Sequence, residues 1–401
     1  MLGWFLAAAG ACAVAPEDVG YPAFAEALAA YPLPTIEVAQ VEALLDPVHT
    51  WEVGRVLRDT FEWASIPAYV HLEDAEHWLG PGYLQSGAPI APGPAGGRPR
   101  VQCHSWVGRL GVDEPVQFAV DTLRRLDFAI ERDDVTAVVS LDNGESAVPD
   151  LLAHAYNVIT VGRLDGFHSR GGTRHEGAGR VRPDVVGPFD ATSLNVPLTT
   201  ALAAALYGLA GSDESLSAAA KPTCIRALIL AGASRGLLPS WSPDEGRPLD
   251  PVFGAGLINL YHSFTILQFG EQDPNGASYI QPLGWDAGTI DDAAPHLYGF
   301  TIPDGTHLEE VTLALVWPRQ ILDRDPGPSF VPEPVLPNLE LTVIEWVDGD
   351  RFELRASSWT RGDNVEFIAL PRLAAGDYAM VVTADGPSEY ALAWFSRPVV
   401  E

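Results

Sequence analysis

The chain has 401 residues, 47% of them apolar and 19% charged, with 38 Gly and 34 Pro. That is enough for two domains with cores of their own, and it excludes a coiled coil or a wholly disordered chain. Lys and Arg number 24 against 53 Asp and Glu, a formal net charge of −29, which argues against nucleic acid as a partner and against docking on an anionic membrane, since both select basic surfaces.

At the N-terminus, residues 2–15 (LGWFLAAAGACAVA) form an uncharged apolar run ending in small residues. Ala11-Cys12-Ala13 fits the small-x-small pattern before a cleavage point, so residues 1–15 are expected to be an export signal and the protein secreted or extracytoplasmic. The run lacks a basic first region and is too short to span a bilayer; a buried N-terminal helix is the alternative. Cys12, after Ala9-Gly10-Ala11, offers a lipidation context. No later segment reads as a membrane span. Cys103 and Cys224 remain after cleavage and make no disulfide framework.

Thr35–Val41 reads as a strand and Pro47–Trp63 as a helix, with Asp46 as N-cap and Pro47 at its first position. Strands are expected at Val101–Val107, Val135–Leu141 and Val158–Gly162. Helices are expected at Pro115–Glu131, Leu151–Ala155, Pro197–Leu209 and Pro222–Ala233. This alternation implies a parallel sheet covered on both faces. From about Gly270 the pattern changes to short strands separated by Gly, Pro, Asp and Asn: Tyr298–Ile302, Val311–Trp317, Leu339–Val347, Glu366–Leu370, Tyr378–Ala384 and Tyr390–Phe395. That pattern predicts an antiparallel, jelly-roll-like β-sandwich over residues 270–401, with a core independent of the α/β domain at 16–268. Pro326, Pro328, Pro332, Pro334 and Pro337 mark an irregular loop within it. Trp285, Trp317, Trp346, Trp359 and Trp394 are expected in the sandwich core.

Ala191-Thr192-Ser193 precedes Leu194-Asn195-Val196-Pro197 and an Ala-rich helix. A serine there lies in the positive end of the helix dipole, which favours developing negative charge. Following Arg182-Pro183-Asp184-Val185-Val186-Gly187-Pro188, the segment resembles the nucleophile loop of the subtilisin-like serine peptidases, and Ser193 falls on the nucleophile. Asn143, in Leu141-Asp142-Asn143-Gly144 before Tyr156-Asn157-Val158-Ile159-Thr160-Val161-Gly162, falls on that family's oxyanion asparagine. His49-Thr50-Trp51-Glu52-Val53-Gly54 is similar to the motif of the catalytic base, which assigns that role to His49. Val38-Ala39-Gln40-Val41-Glu42-Ala43 is similar to the strand carrying the acid, which assigns it to Glu42, with Asp46 as the rival. His104-Ser105-Trp106-Val107-Gly108 resembles the strand that pairs with substrate. Ser105, Trp106 and Gly108 are therefore substrate-binding candidates, and His104 reads as a packed strand residue. Lys221–Ala233 and Phe253–Asn259 extend the likeness, which covers about residues 35–268.

The resemblance implies a three-layer α/β fold, a polypeptide substrate and a serine endopeptidase mechanism. The order acid, His, Asn, Ser is that of subtilisins. Calcium is common among relatives, but no metal-ligand spacing is present here, so no metal or cofactor is assigned. His168, His175 and Glu176 share a Gly-rich loop without such spacing. The chain departs from the pattern in four places: Glu42 stands for Asp, the acid–base loop is only six residues, Ala191 replaces Gly, and Asn195 replaces Ala. About 20 residues separate the signal from the first strand, too few for an inhibitory pro-domain. The alternative function is therefore an inactive binding or scaffold protein on this fold. The sequence sets no oligomeric state.

Overall fold

Seven consecutive residues of IEVAQVE, Ile36–Glu42, are buried, as expected for a strand covered on both faces of a parallel sheet. In the computed structural model, which describes residues 14–94, 96–243, 246–276, 279–324, 330–348 and 351–401, this strand (β1) joins five others. They are β2 (Ala68–Asp74), β3 (Val101–His104), β4 (Thr136–Ser140), β5 (Ile159–Arg163) and β6 (Val185–Gly187). The sheet order is β2-β1-β3-β4-β5-β6, parallel throughout.

Alternating strand residues feed two cores. Val38 and Val138 face helices α1 (Tyr21–Leu28), α2 (Pro47–Trp63), α4 (Thr192–Ser212), α5 (Pro222–Gly232) and α6 (Leu260–Gln268). Ala39, Val41, Ala137 and Val139 face α3 (Val116–Asp133) and the short helix Ala75–Leu79. The result is the expected three-layer α/β domain. Helix α4 is apolar and long enough to cross a membrane, yet almost all of it is buried inside the fold.

The C-terminal part is a sandwich of two four-stranded antiparallel sheets. Its strands are β7 (Gly284–Ile290), β8 (His296–Ile302), β9 (Thr306–Val316), β10 (Leu339–Asp348), β11 (Arg351–Ser358), β12 (Val365–Leu373), β13 (Gly376–Ala384) and β14 (Ser388–Val400). The orders are β8-β13-β10-β11 and β12-β9-β14-β7. Leu313, Leu315, Leu341, Val343, Met380 and Leu392 fill the space between the sheets. The sandwich thus has the expected core, but it shares a second one. Trp285, Ala314, Val316, Phe367, Ala391 and Ala393 turn outward from the second sheet and join the core around α5 and α6.

Several elements differ from the sequence reading. Leu151–Ala155 forms turns, not a helix. Its carbonyls are claimed by side chains instead: Arg182 donates to Ala153 O (3.0 Å) and Ala155 O (2.6 Å), and Arg180 donates to Ala155 O (3.2 Å). Helix α4 starts at Thr192, five residues before Pro197, which it carries inside. Strand β3 stops at His104, short of the expected Val107. The unexpected β2 and β11 are edge strands, with exposed Tyr69, Leu72, Phe352 and Leu354 blurring their alternation. Trp285, Trp317 and Trp394 are buried, but Trp346 and Trp359 are exposed. Trp346 packs edge-on against Phe352 across the β10–β11 pair. Within the proline loop, Gln320–Asp323 pairs with Pro332–Val335, while Pro326 and Pro328 lie outside the described residues. So do residues 1–13, on which most of the expected export signal falls. Val14 is buried in the main core. Cys103 and Cys224 are buried free thiols.

Candidate active site

The sheet register brings the candidate residues to one edge. Val41 of β1 sits beside His104 of β3, and His104 beside Val139 of β4. Glu42, Ser105 and Ser140 therefore occupy one level at the carboxyl end of the sheet, where open α/β folds place their functional loops.

Glu42 ends β1 and is fully buried, and neither carboxylate oxygen has a hydrogen-bond partner among the described residues. Burial pushes its pKa up to about 8, with the nearby Gln40 side chain pulling the other way. The Gln40 amide is itself committed to Thr50 O at 2.9 Å, which ties β1 to the first turn of α2. The close approach leaves no room for a side chain at Gly54, where a Cβ would meet Gln40 Oε1 at 2.8 Å.

His49 lies in that first turn. Asp46 caps the helix through Oδ1, accepting from Val48 N (3.0 Å) and His49 N (3.1 Å), so its carboxylate has a structural role. The His49 ring is about one-third exposed, and its Nε2 lies 3.8 Å from Glu42 Oε2 and 3.3 Å from Ser105 O. Nε2 is thus the ring nitrogen turned towards both Glu42 and Ser105.

Asn143 follows β4 in a turn that needs Gly144, whose φ of +93° suits glycine. Gly144 N donates to Phe167 O (3.2 Å), which holds the turn in place. The Asn143 side-chain oxygen accepts from Thr192 N (3.0 Å). Because a backbone donor sets the amide orientation, Nδ2 must point away from that bond, and it has no partner among the described residues. Thr192 is held in turn by Leu141 O (2.6 Å) and Ser140 Oγ (3.0 Å).

Ser193 is the second residue of α4 and is 8% exposed. The N-cap, Ala191, has no side-chain oxygen to offer. Asn143 takes the first N–H, and the Ser193 N–H is left unpaired among the described residues, at the positive end of a 21-residue helix. No hydrogen bond joins Ser193 to His49. The structure thus pairs His49 with Glu42, and Asn143 with the turn bearing Ser193, without closing a bond between the two pairs.

Of the substrate-strand candidates, Ser105 is buried with its carbonyl on His49. Trp106 is half-buried, and Gly108 O accepts from Leu151 N at 3.1 Å. All three lie beyond the end of β3, so they extend the sheet edge without belonging to it. A Cβ at Gly108 would meet Leu151 at 2.8 Å. His104 is buried between Trp78 and Trp106, its pKa pulled down to about 3 by burial, consistent with a packed strand residue. An open groove of about 960 Å³ runs along α2 and β2, past Thr50, Trp51 and Tyr69, and none of the four candidate catalytic side chains lines it.

One residue with local weight carried no sequence signal beyond its departure from the resemblance. Asn195, fully buried, accepts from Phe189 N (2.8 Å) and donates to Phe189 O (3.0 Å) and Gly162 O (3.1 Å). It moors the Ser193 turn to β5. His168 is similarly structural, accepting from Arg163 N (3.0 Å), and Glu176 is paired with Arg124 and Arg319. Among the described residues no group of three or more His, Cys, Asp or Glu is placed to hold a metal ion.

The domain is therefore an α/β protein with a covered parallel sheet, joined to an antiparallel β-sandwich. No protein-family model matches the chain, and no curated protein matches it. Solved structures similar to it include the patellamide maturation protease PatA, 16% identical over 59% of this chain and 98% of that one, with a TM-score of 0.37. A lanthipeptide protease is 12% identical over 58% and 87%, with a TM-score of 0.37. Tripeptidyl peptidase 2 is 11% identical over 75% of this chain and 35% of that one, with a TM-score of 0.29.

Proposed function

We propose that the chain is a subtilisin-like serine endopeptidase. Ser193 attacks the scissile carbonyl of a polypeptide, His49 moves the proton, Glu42 steadies the imidazolium, and Asn143 Nδ2 with the Ser193 N–H receives the oxyanion. The observation that carries this reading is the bond from Thr192 N to the Asn143 side-chain oxygen. It fastens Asn143, whose Nδ2 has no partner among the described residues, to the turn that bears an uncapped helix N-terminus and a serine. Attack requires the His49 ring to leave the Ser105 carbonyl and engage Ser193. On the strength of residues 2–15 we further propose that the protein is exported.

A second reading, a binding or scaffold protein on the same fold, is favoured by one observation: His49 is engaged with Ser105 O and has no hydrogen bond to Ser193. Casein hydrolysis separates the two. On the peptidase reading His49→Ala, Ser193→Ala and the double variant all lose activity to the same floor, because groups acting as a unit are not additive. Hydrolysis by His49→Ala at the parent rate removes His49 from the mechanism, and a parent without activity leaves the scaffold reading standing.

A further inference from the structure

The α/β domain and the sandwich enclose a second cavity of about 350 Å³, and none of Glu42, His49, Asn143 or Ser193 lines it. Its polar feature is Arg235, just past the end of α5. The guanidinium donates to Thr312 Oγ1 at 2.7 Å and to Ala233 O at 3.4 Å. Those contacts occupy two of the five N–H donors that an arginine carries, and no carboxylate lies within ion-pair distance of it among the described residues. Burial pulls its pKa down to about 10, against the Glu310 charge, so it stays protonated at neutral pH. Trp241, 5.3 Å from the guanidinium carbon, supplies one aromatic wall. Phe395 supplies another, stacked on His262 at 4.1 Å. Burial lowers the His262 pKa, so it adds no charge there near neutrality.

The other side of the cavity is acidic, and irregular backbone puts it there. Strand β9 shifts register between Glu309 and Thr312, and Glu310 has a φ of +54°, a left-handed conformation uncommon for a residue of its kind. Bulges of this type re-aim side chains and gather next to functional sites. Glu310 is half exposed and shares Arg397 with Glu309: Arg397 lies 3.2 Å from Glu310 Oε1 and 2.6 Å from Glu309 Oε2. The cavity is therefore lined by a cation with free donors, by carboxylates that pair with Arg397 and not with it, and by the aromatic side chains Trp241 and Phe395.

We propose that this cleft binds a free aromatic α-amino acid, its carboxylate on Arg235, its ammonium on Glu310 and its ring against Trp241 and Phe395. An inorganic anion fits poorly beside Glu309 and Glu310 on a chain of net charge −29, whereas a zwitterion answers both signs. The volume lies at the small end of the range for small-molecule pockets.

The test is calorimetric titration of the intact chain with L-phenylalanine, 3-phenylpropanoate, phenethylamine and inorganic phosphate. Saturable binding of L-phenylalanine, at least tenfold tighter than the other three, is expected. Arg235→Gln should weaken it tenfold or more with an unchanged circular dichroism spectrum. Glu310→Gln, at an exposed position that spares the fold, should erase the preference for L-phenylalanine over 3-phenylpropanoate. The proposal is overturned if L-phenylalanine does not saturate, if 3-phenylpropanoate or phosphate binds the parent equally well, or if Glu310→Gln keeps the full preference.

Discussion

Glu42 is a buried carboxyl group without a hydrogen-bond partner, and its environment sets what it can do. Its pKa of about 8, against an ordinary value of 4.5, means that the fold prefers the protonated form. Stability from this group is therefore full below about pH 4.5 and is lost as pH rises towards 8. Glu42→Gln removes that dependence. The parent should lose a few kcal/mol relative to the variant between pH 5 and pH 9, read from urea midpoints at both values; a constant difference would mean that Glu42 titrates normally. Activity should run the other way, because a triad needs the ionised carboxylate. Casein turnover is expected to climb through about pH 8 in the parent, and to be low without that limb in Glu42→Gln. The sequence put Glu42 at the end of an expected strand, where β1 does end, but it carried no sign of this desolvation. That burial comes from the pairing of β1 with its neighbours in the sheet, which only folding brings together.

At the scale of elements, strongly patterned segments were legible. Pro47–Trp63 was bounded correctly by its Asp-Pro entry, because capping is a local interaction. The edge strands β2 and β11 were not legible, since one side faces solvent and mixed exposure destroys the period of two. Helix α4 was misread at its start because Pro197 suggested a first-turn position, whereas tertiary bonds from Asn195 and Thr192 hold the helix open upstream of it. That gives Asn195 a measurable role. Asn195→Ala removes three buried hydrogen bonds, to Phe189 N, Phe189 O and Gly162 O, each worth roughly 0.5–1.5 kcal/mol. A loss of at least 2 kcal/mol in a denaturant melt is expected, with a smaller change in Thr199→Ala, one turn further on. A loss below about 0.5 kcal/mol would show that the turn does not depend on Asn195.

At the scale of the whole molecule, the two halves are fastened by charge as well as by the shared apolar core. Arg319, just beyond β9, is buried against α3. Its Nε donates to Asp127 Oδ2 at 2.9 Å and its Nη1 to Glu176 Oε2 at 2.6 Å, and its backbone is bracketed by Asn157. Nothing in the sequence pairs residues 127 and 319, which lie 192 positions apart, so the sandwich read as self-sufficient. Arg319→Leu leaves Asp127 buried without its cation, while Glu176 keeps Arg124 at 2.8 Å; breaking a buried pair in this way is a change of about 3–5 kcal/mol. Both halves should be destabilised together in one thermal transition; an early melt of the sandwich alone would contradict the shared core. The central claim is that Ser193 is a nucleophile, and labelling of the intact chain with a fluorophosphonate probe, followed by peptide mass spectrometry, tests it most directly. The account predicts the adduct on Ser193 alone, absent in Ser193→Ala and much slower in His49→Ala; no adduct, or an adduct that persists in Ser193→Ala, would contradict it.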